Sequence, residues 1–351
     1  MNAAYPLFAA HPKLASLPLA GLLQGPTPVQ ALPDAGDTWV KRDDLTTAEF
    51  GGNKIRKLDL LLGDARARGR RSLVAFGYAG SNFVAATAWH GRRLGMDTLG
   101  LLLPQADAPY VADNLAMARH AGAELIVRTR ESALIMQAVL HSLQRLAQQG
   151  RWPYWMPPGG STPLGALAYV NAALELRRQI EDGECALPAR IYVAFSSMGT
   201  VAGLAVGLAM AGLACRIQAV QVVGARYAGR EKLDALIVRT QKLLRRFDPG
   251  IPPVAAPVDI RTEYGGPAYA VATPATRAAM QRFVRASGAR SDSAYTGKAL
   301  ACLYADLDSG LPGPLLYWHS YNAHGLAPGV APLASSALQP YVFDAPATGG
   351  S

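Results

Sequence analysis

Cysteine is scarce in this sequence, and its distribution argues against two classes of protein. The three cysteines, Cys185, Cys215 and Cys302, are scattered over 351 residues without a CxxC spacing. Such scattering indicates neither a disulfide framework nor a thiolate zinc site, because both need paired or closely spaced cysteines. We therefore expect a protein of a reducing compartment, the cytoplasm.

Long apolar stretches and a secretory leader are absent as well. No uninterrupted apolar run reaches the length of about 18 residues that a membrane-spanning helix needs. The opening residues show no charged segment followed by a long apolar one, which is the pattern of a signal peptide. We expect a protein with no membrane partner.

Two families of catalytic motif are also missing. The sequence contains no HExxH motif and no GxSxG nucleophile elbow, which argues against a zinc protease and a serine hydrolase. His319 and His324 are five residues apart but belong to no pattern of metal ligands. We expect no bound metal.

Acidic residues are outnumbered, with 34 Lys and Arg against 25 Asp and Glu and a formal net charge of +9. The basic residues concentrate in residues 66–71 and 239–246, and neither segment has interleaved aromatic residues. Net charge bears on solubility and nonspecific binding before it bears on function. We interpret both segments as solvated surface and expect no nucleic-acid partner.

Short apolar runs alternate with longer helical patterns along most of the chain. This alternation is typical of βαβ units, in which helices cover the faces of a mainly parallel sheet. The length of 351 residues favours two domains, since a domain commonly has roughly 100–200 residues. We predict an α/β fold with two doubly wound domains and mainly parallel sheets. The predicted strands are residues 72–76, 98–103, 124–127, 191–195, 218–223 and 314–317.

A segment rich in proline, glycine and aromatic residues, residues 151–163, separates two clusters of these units. We predict that residues 54–163 form a smaller inserted domain and that residues 1–53 and 164–340 form a larger one. The opening residues are expected to pack against the larger domain. The Pro/Ala/Gly-rich tail from Ala327 is expected to be partly ordered at most.

Lys54, one of seven lysines, lies in the sequence GGNKIRKL at a predicted helix start. The positive end of a helix disfavours an ammonium group and lowers its pKa. A lysine with a lowered pKa suits Schiff-base chemistry. Alternatively, Lys54 only follows a Gly-Gly turn.

The sequence FSSMGTVAGL, residues 195–204, reads as a strand, a loop of small residues and a helix start. Backbone N–H groups in such a loop converge on a phosphate at the positive helix end. The loop lacks the lysine of a Walker motif and the glycine spacing of a dinucleotide fingerprint, so a small phosphate ester is the better candidate. The alternative is a tight turn with a purely structural role.

A similar strand, glycine turn and helix start occurs at residues 76–95, where Ser81 and Asn82 begin the helix. These two side chains either cap the helix or hold a substrate carboxylate or ring oxygen. Two further segments place Tyr264 and Tyr269 (EYGGPAYA) and Tyr295 with Thr296 (YTGKAL) near glycines. Tyrosines in loops are usually packing elements with a satisfied hydroxyl.

Taken in order, these motifs resemble those of one family of pyridoxal 5'-phosphate (PLP) enzymes. The family contains 1-aminocyclopropane-1-carboxylate (ACC) deaminase and D-cysteine desulfhydrase and has the tryptophan synthase β-like fold. The resemblance covers residues 17–325, and the motifs that carry it are TPVQALP, VKRDDLTTAEFGGNKIRKLDLLL, FGYAGSN, PGGSTPLGALAYV, SSMGTVAGL, EYGGPAYA and YTGKAL.

The resemblance implies a role for each motif. Lys54 would form the Schiff base with PLP and move protons at the substrate carbon. Asn82 would contact the ring hydroxyl of the cofactor, and Ser81 the substrate carboxylate. Tyr295 and Tyr269 would serve as acid, base or nucleophile on the substrate side. The residues implied for the cofactor phosphate are Ser197, Gly199, Thr200, Val201 and Ala202.

Thr296 distinguishes members of the family, because the resemblance places it next to the pyridine nitrogen. A carboxylate there keeps that nitrogen protonated and makes the cofactor a strong electron sink. A threonine supplies only a neutral hydroxyl, which favours a milder β-elimination. The sequence therefore leans towards the desulfhydrase side.

The sequence departs from the family pattern at two places. Phe83 stands where a polar residue, often His, is usual, and Ser320, Tyr321 and Asn322 replace the expected small residues. Both places belong to the part of the site that selects the substrate. A specialised amino-acid substrate is therefore compatible with the resemblance.

We expect a PLP-dependent lyase or deaminase that acts on a small amino acid, such as D-cysteine, as a homodimer. ACC deamination, replacement and racemisation are alternatives with the same cofactor. A catalytically silent PLP-binding protein is the alternative from a different class, and Phe83 with residues 318–322 keeps it open.

Overall fold

A computed structural model describes residues 4–322 and 324–343 of the chain. Its strands are β1 (Val29–Ala31), β2 (Thr38–Arg42), β3 (Ser72–Tyr78), β4 (Asp97–Leu103), β5 (Gln105–Ala106), β6 (Glu124–Val127), β7 (Tyr154–Met156), β8 (Arg190–Phe195), β9 (Arg216–Gln221), β10 (Val258–Arg261), β11 (Leu315–His319) and β12 (Val342–Phe343). Its α-helices are α1 (Pro6–Ala10), α2 (Lys54–Ala67), α3 (Asn82–Arg93), α4 (Pro109–His120), α5 (Glu131–Gln149), α6 (Pro163–Glu181), α7 (Gly199–Met210), α8 (Arg230–Phe247), α9 (Pro274–Ser287), α10 (Thr296–Asp308) and α11 (Ser335–Leu338).

The strands form two main sheets, as the alternating pattern predicts. The larger sheet has the order β1-β2-β11-β8-β9-β10, and the smaller has the order β6-β4-β3-β7. Every pairing in these two sheets is parallel except that of β1 with β2. Each predicted strand overlaps an observed one, because strands covered by helices on both faces read as nearly continuous apolar runs. The α/β fold class is confirmed.

The chain enters the larger sheet twice. β2 pairs with β11 although the two are far apart in sequence, so the opening segment packs against the larger sheet. The smaller sheet is built from residues between these two visits. The exact division into residues 54–163 and the flanking segments stays a prediction.

The tail beyond Ala327 has more order than its composition suggests. β12 pairs with β5, and the Tyr341 hydroxyl accepts a hydrogen bond from Arg119 at 3.0 Å. Leu338 and Tyr341 are buried against the smaller sheet's core. These few apolar side chains anchor a tail in which small residues dominate. The residues after Phe343 lie outside the described part of the chain.

The helices of residues 4–322 and 324–343 are too short or too polar for any of them to cross a lipid bilayer. The cysteines Cys185, Cys215 and Cys302 are buried and free.

A buried ionic network joins α2, β2 and α6 beneath the site described below. Arg56 donates to Asp43 and to both carboxylate oxygens of Glu175 at 2.8–2.9 Å. Lys41 donates to the same glutamate at 2.5 Å. Burial raises the pKa of Glu175, but Arg56 and Lys41 lower that pKa by more, to about 2. The fully buried Arg56 is thus the cation shared by two buried carboxylates.

Replacing Arg56 with Met is expected to lower the free energy of unfolding by about 3–5 kcal/mol, because it leaves the buried Asp43 carboxylate without its cation and Glu175 with Lys41 alone. The matched control is Arg177→Met, which removes an exposed i,i+4 pair with Glu181 and should cost less than about 1 kcal/mol. Urea unfolding of both variants measures the difference. Equal losses in the free energy of unfolding would show that the buried network stabilises the fold no more than an exposed ion pair does.

Candidate active site

A cavity of about 420 Å³ opens between the carboxyl ends of strands from the two main sheets. β3 and β4 of the smaller sheet face β8 and β9 of the larger one across it. Ligands of α/β proteins bind at the carboxyl ends of parallel strands, where loops and helix N-termini converge. Of the residues that sequence reasoning singled out for a role, the cavity is lined by Lys54, Ser81, Asn82, Ser197, Thr200, Val201 and Tyr295.

Lys54 is the first residue of α2, as the sequence predicts. The two glycines before it are required, because a Cβ on Gly51 would stand 2.3 Å from the Asp44 carbonyl oxygen and Gly52 has a φ of +98°. The Lys54 amine donates to the Asn53 Oδ1 atom at 2.9 Å. Burial lowers the pKa of Lys54 to about 8, although the nearby Asp292 carboxylate raises it. The amine is thus close to its reactive neutral form at physiological pH.

The loop between β8 and α7 forms a cradle of backbone N–H groups. Met198 takes a left-handed conformation with φ 69° and turns the chain into the helix. The amides of Thr200 and Val201 come before the first intrahelical hydrogen bond, which Ala202 donates to the Met198 carbonyl at 2.9 Å. N–H groups in a first helical turn have no acceptor within the helix. Such N–H groups are able to bind an anion at the edge of the cavity.

Ser197, Gly199 and Ala202, which are predicted to bind the phosphate, make different contacts in the structure. The Ser161 hydroxyl donates to Ser197 Oγ at 2.8 Å and accepts from the Gly199 amide at 3.1 Å. Gly199 and Ala202 are outside the cavity lining, and the Ala202 amide is committed to the helix. The sequence alone does not reveal Ser161, because it reaches this loop from a distant segment.

Lys57 is a second buried amine, one helical turn after Lys54. Its ammonium donates to the Gly159 carbonyl at 3.2 Å and lies 3.0 Å from where a Cβ on Gly199 would stand. Burial and the neighbouring Lys54 hold the pKa of Lys57 well below its usual value. Its place beside the loop makes it a candidate partner for an anion. The i, i+3 spacing on one helix face is the signal that could have indicated it.

Ser81 and Asn82 begin α3 at the opposite wall of the cavity. Ser81 caps the helix by accepting from the Val84 amide at 3.3 Å, so the structural interpretation of this residue holds alongside its place in the lining. Asn82 Oδ1 accepts from Asn114 at 3.1 Å, which leaves its own amide group to face the cavity as a donor. Phe83 is buried and also contributes to the lining.

The two predicted tyrosines are paired, but only one lines the cavity. The hydroxyls of Tyr269 and Tyr295 hydrogen-bond to each other, and the Tyr269 ring stacks on Tyr78 at 4.2 Å. Burial raises the pKa of both hydroxyls, so they stay protonated at neutral pH. The Lys54 amine lies 5.9 Å from the centre of the Tyr295 ring. Tyr295 therefore offers a proton donor on the same cavity as the amine.

Thr296 is buried behind the cavity, and a carboxylate stands in front of it. The Thr296 hydroxyl donates to Asp292 Oδ2 at 2.6 Å and accepts from the Asp292 amide at 2.8 Å. Asp292 lines the cavity, and its carboxylate also accepts from the amides of Ala294 and Tyr295 at 2.9 and 2.6 Å. The interpretation that only a neutral hydroxyl lies here is incomplete. An Asp shortly before a helix start is the signal that was missed.

Comparisons with known proteins match most of the chain. The family model "Pyridoxal-phosphate dependent enzyme" matches residues 21–316. The chain is 33% identical to nocardicin C-9' epimerase of Nocardia uniformis subsp. tsuyamanensis, over 88% of this chain and 93% of that protein. It is 32% identical to D-cysteine desulfhydrase of Serratia proteamaculans, over 90% and 96%. A crystal structure of an ACC deaminase homologue has a TM-score of 0.78 and 31% identity, and covers 91% of this chain and 95% of its own.

Proposed function

Because this chain belongs to the family of pyridoxal-phosphate dependent enzymes, we propose that it catalyses β-elimination from a D-amino acid and yields a 2-oxo acid and ammonia. The observation that carries the proposal is a buried amine and a protonated tyrosine on one cavity, next to an anion cradle. The D configuration is taken from the D-cysteine desulfhydrase of Serratia proteamaculans, to which the chain is 32% identical.

The residues of the cavity fit pyridoxal phosphate. Lys54 would hold its aldehyde carbon, Asn82 its ring hydroxyl, and the amides of Thr200 and Val201 its phosphate. A Cβ on Gly199 would stand 2.7 Å from Ser161 Oγ and 3.0 Å from the Lys57 amine, so a side chain at this position would displace the polar groups beside the loop. When bound, the cofactor withdraws electrons from the substrate's Cα and acidifies its hydrogen.

Lys54 and Tyr295 divide the proton transfers in this proposal. Lys54, once its amine is free, takes the proton from the substrate Cα as general base. Tyr295, whose burial-raised pKa keeps it protonated, donates a proton to the group leaving Cβ. Ser81 holds the substrate carboxylate at the start of α3, where the helix dipole favours negative charge. Tyr269 sets the position of Tyr295 through their shared hydrogen bond.

Thr296 supports elimination over ring opening of ACC. Its one hydroxyl proton is donated to Asp292, so Thr296 has no proton to donate to a pyridine nitrogen and no negative charge to hold one there. The carboxylate beside Thr296 is that of Asp292. It already accepts hydrogen bonds from Ala294, Tyr295 and Thr296. A carboxylate so engaged is a weaker support for a protonated ring than one that is free to pair with it.

A second candidate is epimerisation at the substrate Cα. It is favoured by the 33% identity to a protein named nocardicin C-9' epimerase. Removing and returning a proton at Cα needs the same Lys54, with Tyr295 as the second acid. The two functions differ in whether Cβ carries a group that can leave.

A panel of substrates tests the proposal. The purified protein is incubated with D-cysteine, β-chloro-D-alanine, their L-forms and ACC, and 2-oxo acid and ammonia are measured. Pyruvate from the D-substrates with little 2-oxobutyrate from ACC is the expected result. Faster 2-oxobutyrate release would favour ACC deamination. Racemisation without any oxo acid would favour the epimerase. No conversion of these substrates or of S-substituted D-cysteines would identify a silent binding protein.

The rate at which the cofactor-free protein captures pyridoxal phosphate is expected to depend on pH through Lys54. Only the neutral amine attacks an aldehyde, and the pKa of Lys54 is lowered to about 8. The rate should therefore rise about tenfold per pH unit below pH 8 and level off above it. Stopped-flow absorbance from pH 6 to 10 measures this rise.

The control is a free lysine derivative, whose pKa is about 10.4. Its rate of reaction with pyridoxal phosphate should still rise above pH 9. Asp292→Asn should move the protein's profile to lower pH, because the Asp292 carboxylate raises the pKa of Lys54. A protein profile that rises in parallel with that of the free lysine would show that burial does not activate Lys54.

We also propose that the enzyme works as a homodimer in the cytoplasm. The free, buried state of the cysteines supports a reducing compartment. Two exposed apolar side chains in the second half of α5, Leu143 and Leu146, support an interface between two copies. Sedimentation equilibrium measures the oligomeric state.

A further inference from the structure

We propose that the preferred substrates are D-amino acids whose β-substituent is a bulky apolar thioether, and that the bare thiol of cysteine is a poor fit. This inference rests on the proposed function and specifies its substrate class. It is carried by an apolar part of the cavity lining that reaches the solvent. We call this part the outer lobe; its residues are Phe76, Leu103, Leu134, Ile135, Val223 and Tyr227.

The cavity lining has a polar part and an apolar part. The polar part contains Lys54, Asn82, Ser197 and Asp292, the groups that the proposed chemistry uses. Within the lobe, Leu134 is 4% exposed, whereas Tyr227 is 41% and Ile135 54% exposed. The lobe therefore reaches the solvent at Tyr227 and Ile135.

The two sheets and α5 together build the outer lobe. Phe76 and Leu103 lie at the carboxyl ends of β3 and β4, and Val223 follows β9. Leu134 and Ile135 lie near the start of α5. All of these side chains line the same cavity, at the carboxyl ends of the strands, where ligands of α/β proteins bind. An apolar ligand group in that space removes apolar surface of both partners from water.

The charges along the lining exclude an acidic substituent. Within the described part of the chain, Lys54 is the one cation that lines the cavity, and the proposed chemistry occupies it. Glu131 adds a carboxylate to the lining at the start of α5. A distal carboxylate on the substrate would find no cation to pair with, and the Glu131 carboxylate would repel it. An uncharged apolar substituent meets neither obstacle.

The elimination balances for a thioether. Lys54 takes the proton from Cα, and the Cα electron pair forms the Cα–Cβ double bond while the Cβ–S bond breaks. The sulfur leaves with the bonding pair and takes a proton from the Tyr295 hydroxyl as a thiol. The enamine that leaves the enzyme reacts with water to give pyruvate and ammonia. The proton on Lys54 returns to Tyr295 through solvent.

Two thioethers whose apolar groups differ in size test the proposal. S-benzyl-D-cysteine and S-methyl-D-cysteine both release a thiol from the same kind of bond, and pyruvate and thiol are measured for each. The value of kcat/KM for the benzyl compound is expected to be at least about tenfold higher, because apolar contacts of this size discriminate by that order. Equal values, or a preference for the methyl compound, would overturn the proposal.

Ile135→Asn and Met136→Asn are matched variants. Both residues are exposed apolar positions on α5, 54% and 60% exposed, but Ile135 alone of the two lines the cavity. Ile135→Asn should lower the benzyl-to-methyl ratio of kcat/KM by about tenfold, and Met136→Asn should leave that ratio unchanged. Equal effects of the two variants would contradict a role of the outer lobe.

A binding measurement separates failure of this inference from failure of the proposed function. D-homophenylalanine and D-2-aminobutyrate carry no leaving group, so their binding to the cofactor-loaded protein is followed by the change in visible absorbance. At least about tenfold tighter binding of D-homophenylalanine is expected. This preference with no pyruvate from any thioether would refute the proposed elimination and support the apolar lobe. Pyruvate from both thioethers without this preference would refute the lobe and support the elimination.

Discussion

Lys54→Ala is expected to abolish the covalent attachment of pyridoxal phosphate and to lower the rate of 2-oxo acid release by at least about 10³-fold. The variant removes both the amine that holds the cofactor and the general base at the substrate Cα. The purified wild type should be yellow, and borohydride should bleach the colour by reducing the covalent link. Lys54→Ala protein should lack that band. Absorbance scans and a 2-oxo acid assay measure both effects.

Lys298 is the matched control for this prediction, because burial lowers its pKa to about 8 as well. Its ammonium donates to the carbonyl groups of Gly265 and Ala268 at 2.5 and 3.3 Å, and it is outside the cavity lining. Lys298→Ala protein should therefore keep the borohydride-sensitive band. Peptide mapping of the reduced wild type should find the adduct on Lys54. An adduct on Lys57 or Lys298 would show that Lys54 is not the lysine that binds the cofactor covalently.

Gly199→Val is expected to weaken the retention of pyridoxal phosphate by about 10²-fold. The first Cβ alone would stand 2.7 Å from Ser161 Oγ and 3.0 Å from the Lys57 amine, so the branched side chain must displace the groups around the anion cradle. A displacement of about 1 Å at a binding group has effects of this order. Equilibrium dialysis of the cofactor and thermal melting of the cofactor-free protein measure retention and stability separately.

Gly25→Val is the control for the cradle, because a Cβ there has no heavy atom within 4 Å. It should retain the cofactor like the wild type. If Gly199→Val kept wild-type affinity, the phosphate would have to bind elsewhere. If the affinity of Gly199→Val for the cofactor fell only in proportion to its thermal stability, the loss would result from a destabilised fold and not from a damaged anion cradle.

The motifs of this protein are local, so their structures can be predicted from the sequence alone. The α/β class follows from the alternation of apolar runs and helical patterns, each a property of a few neighbouring residues. The helix start at Lys54 follows from the glycines before it, because Gly52 has a φ of +98°, which other residues rarely adopt. The anion cradle before α7 likewise follows from the small residues of one loop.

The tertiary structure alone decided which distant groups surround these motifs. Ser161 reaches Ser197 and Gly199 from another segment, and the tail reaches the smaller sheet at β5. Neither contact has a sequence pattern, because a hydrogen bond between distant segments depends on the path of the chain and not on spacing along it.

The balance between Thr296 and Asp292 was also decided in three dimensions. Sequence reasoning assigned this place to a neutral hydroxyl, but the folded turn before α10 brings the Asp292 carboxylate to within 2.6 Å of that hydroxyl and into the cavity lining. The outer lobe arises in the same way, since its residues come from both sheets and α5. The chemistry at Lys54 is local to one helix start, whereas the charge and shape around the substrate depend on how the two sheets face each other.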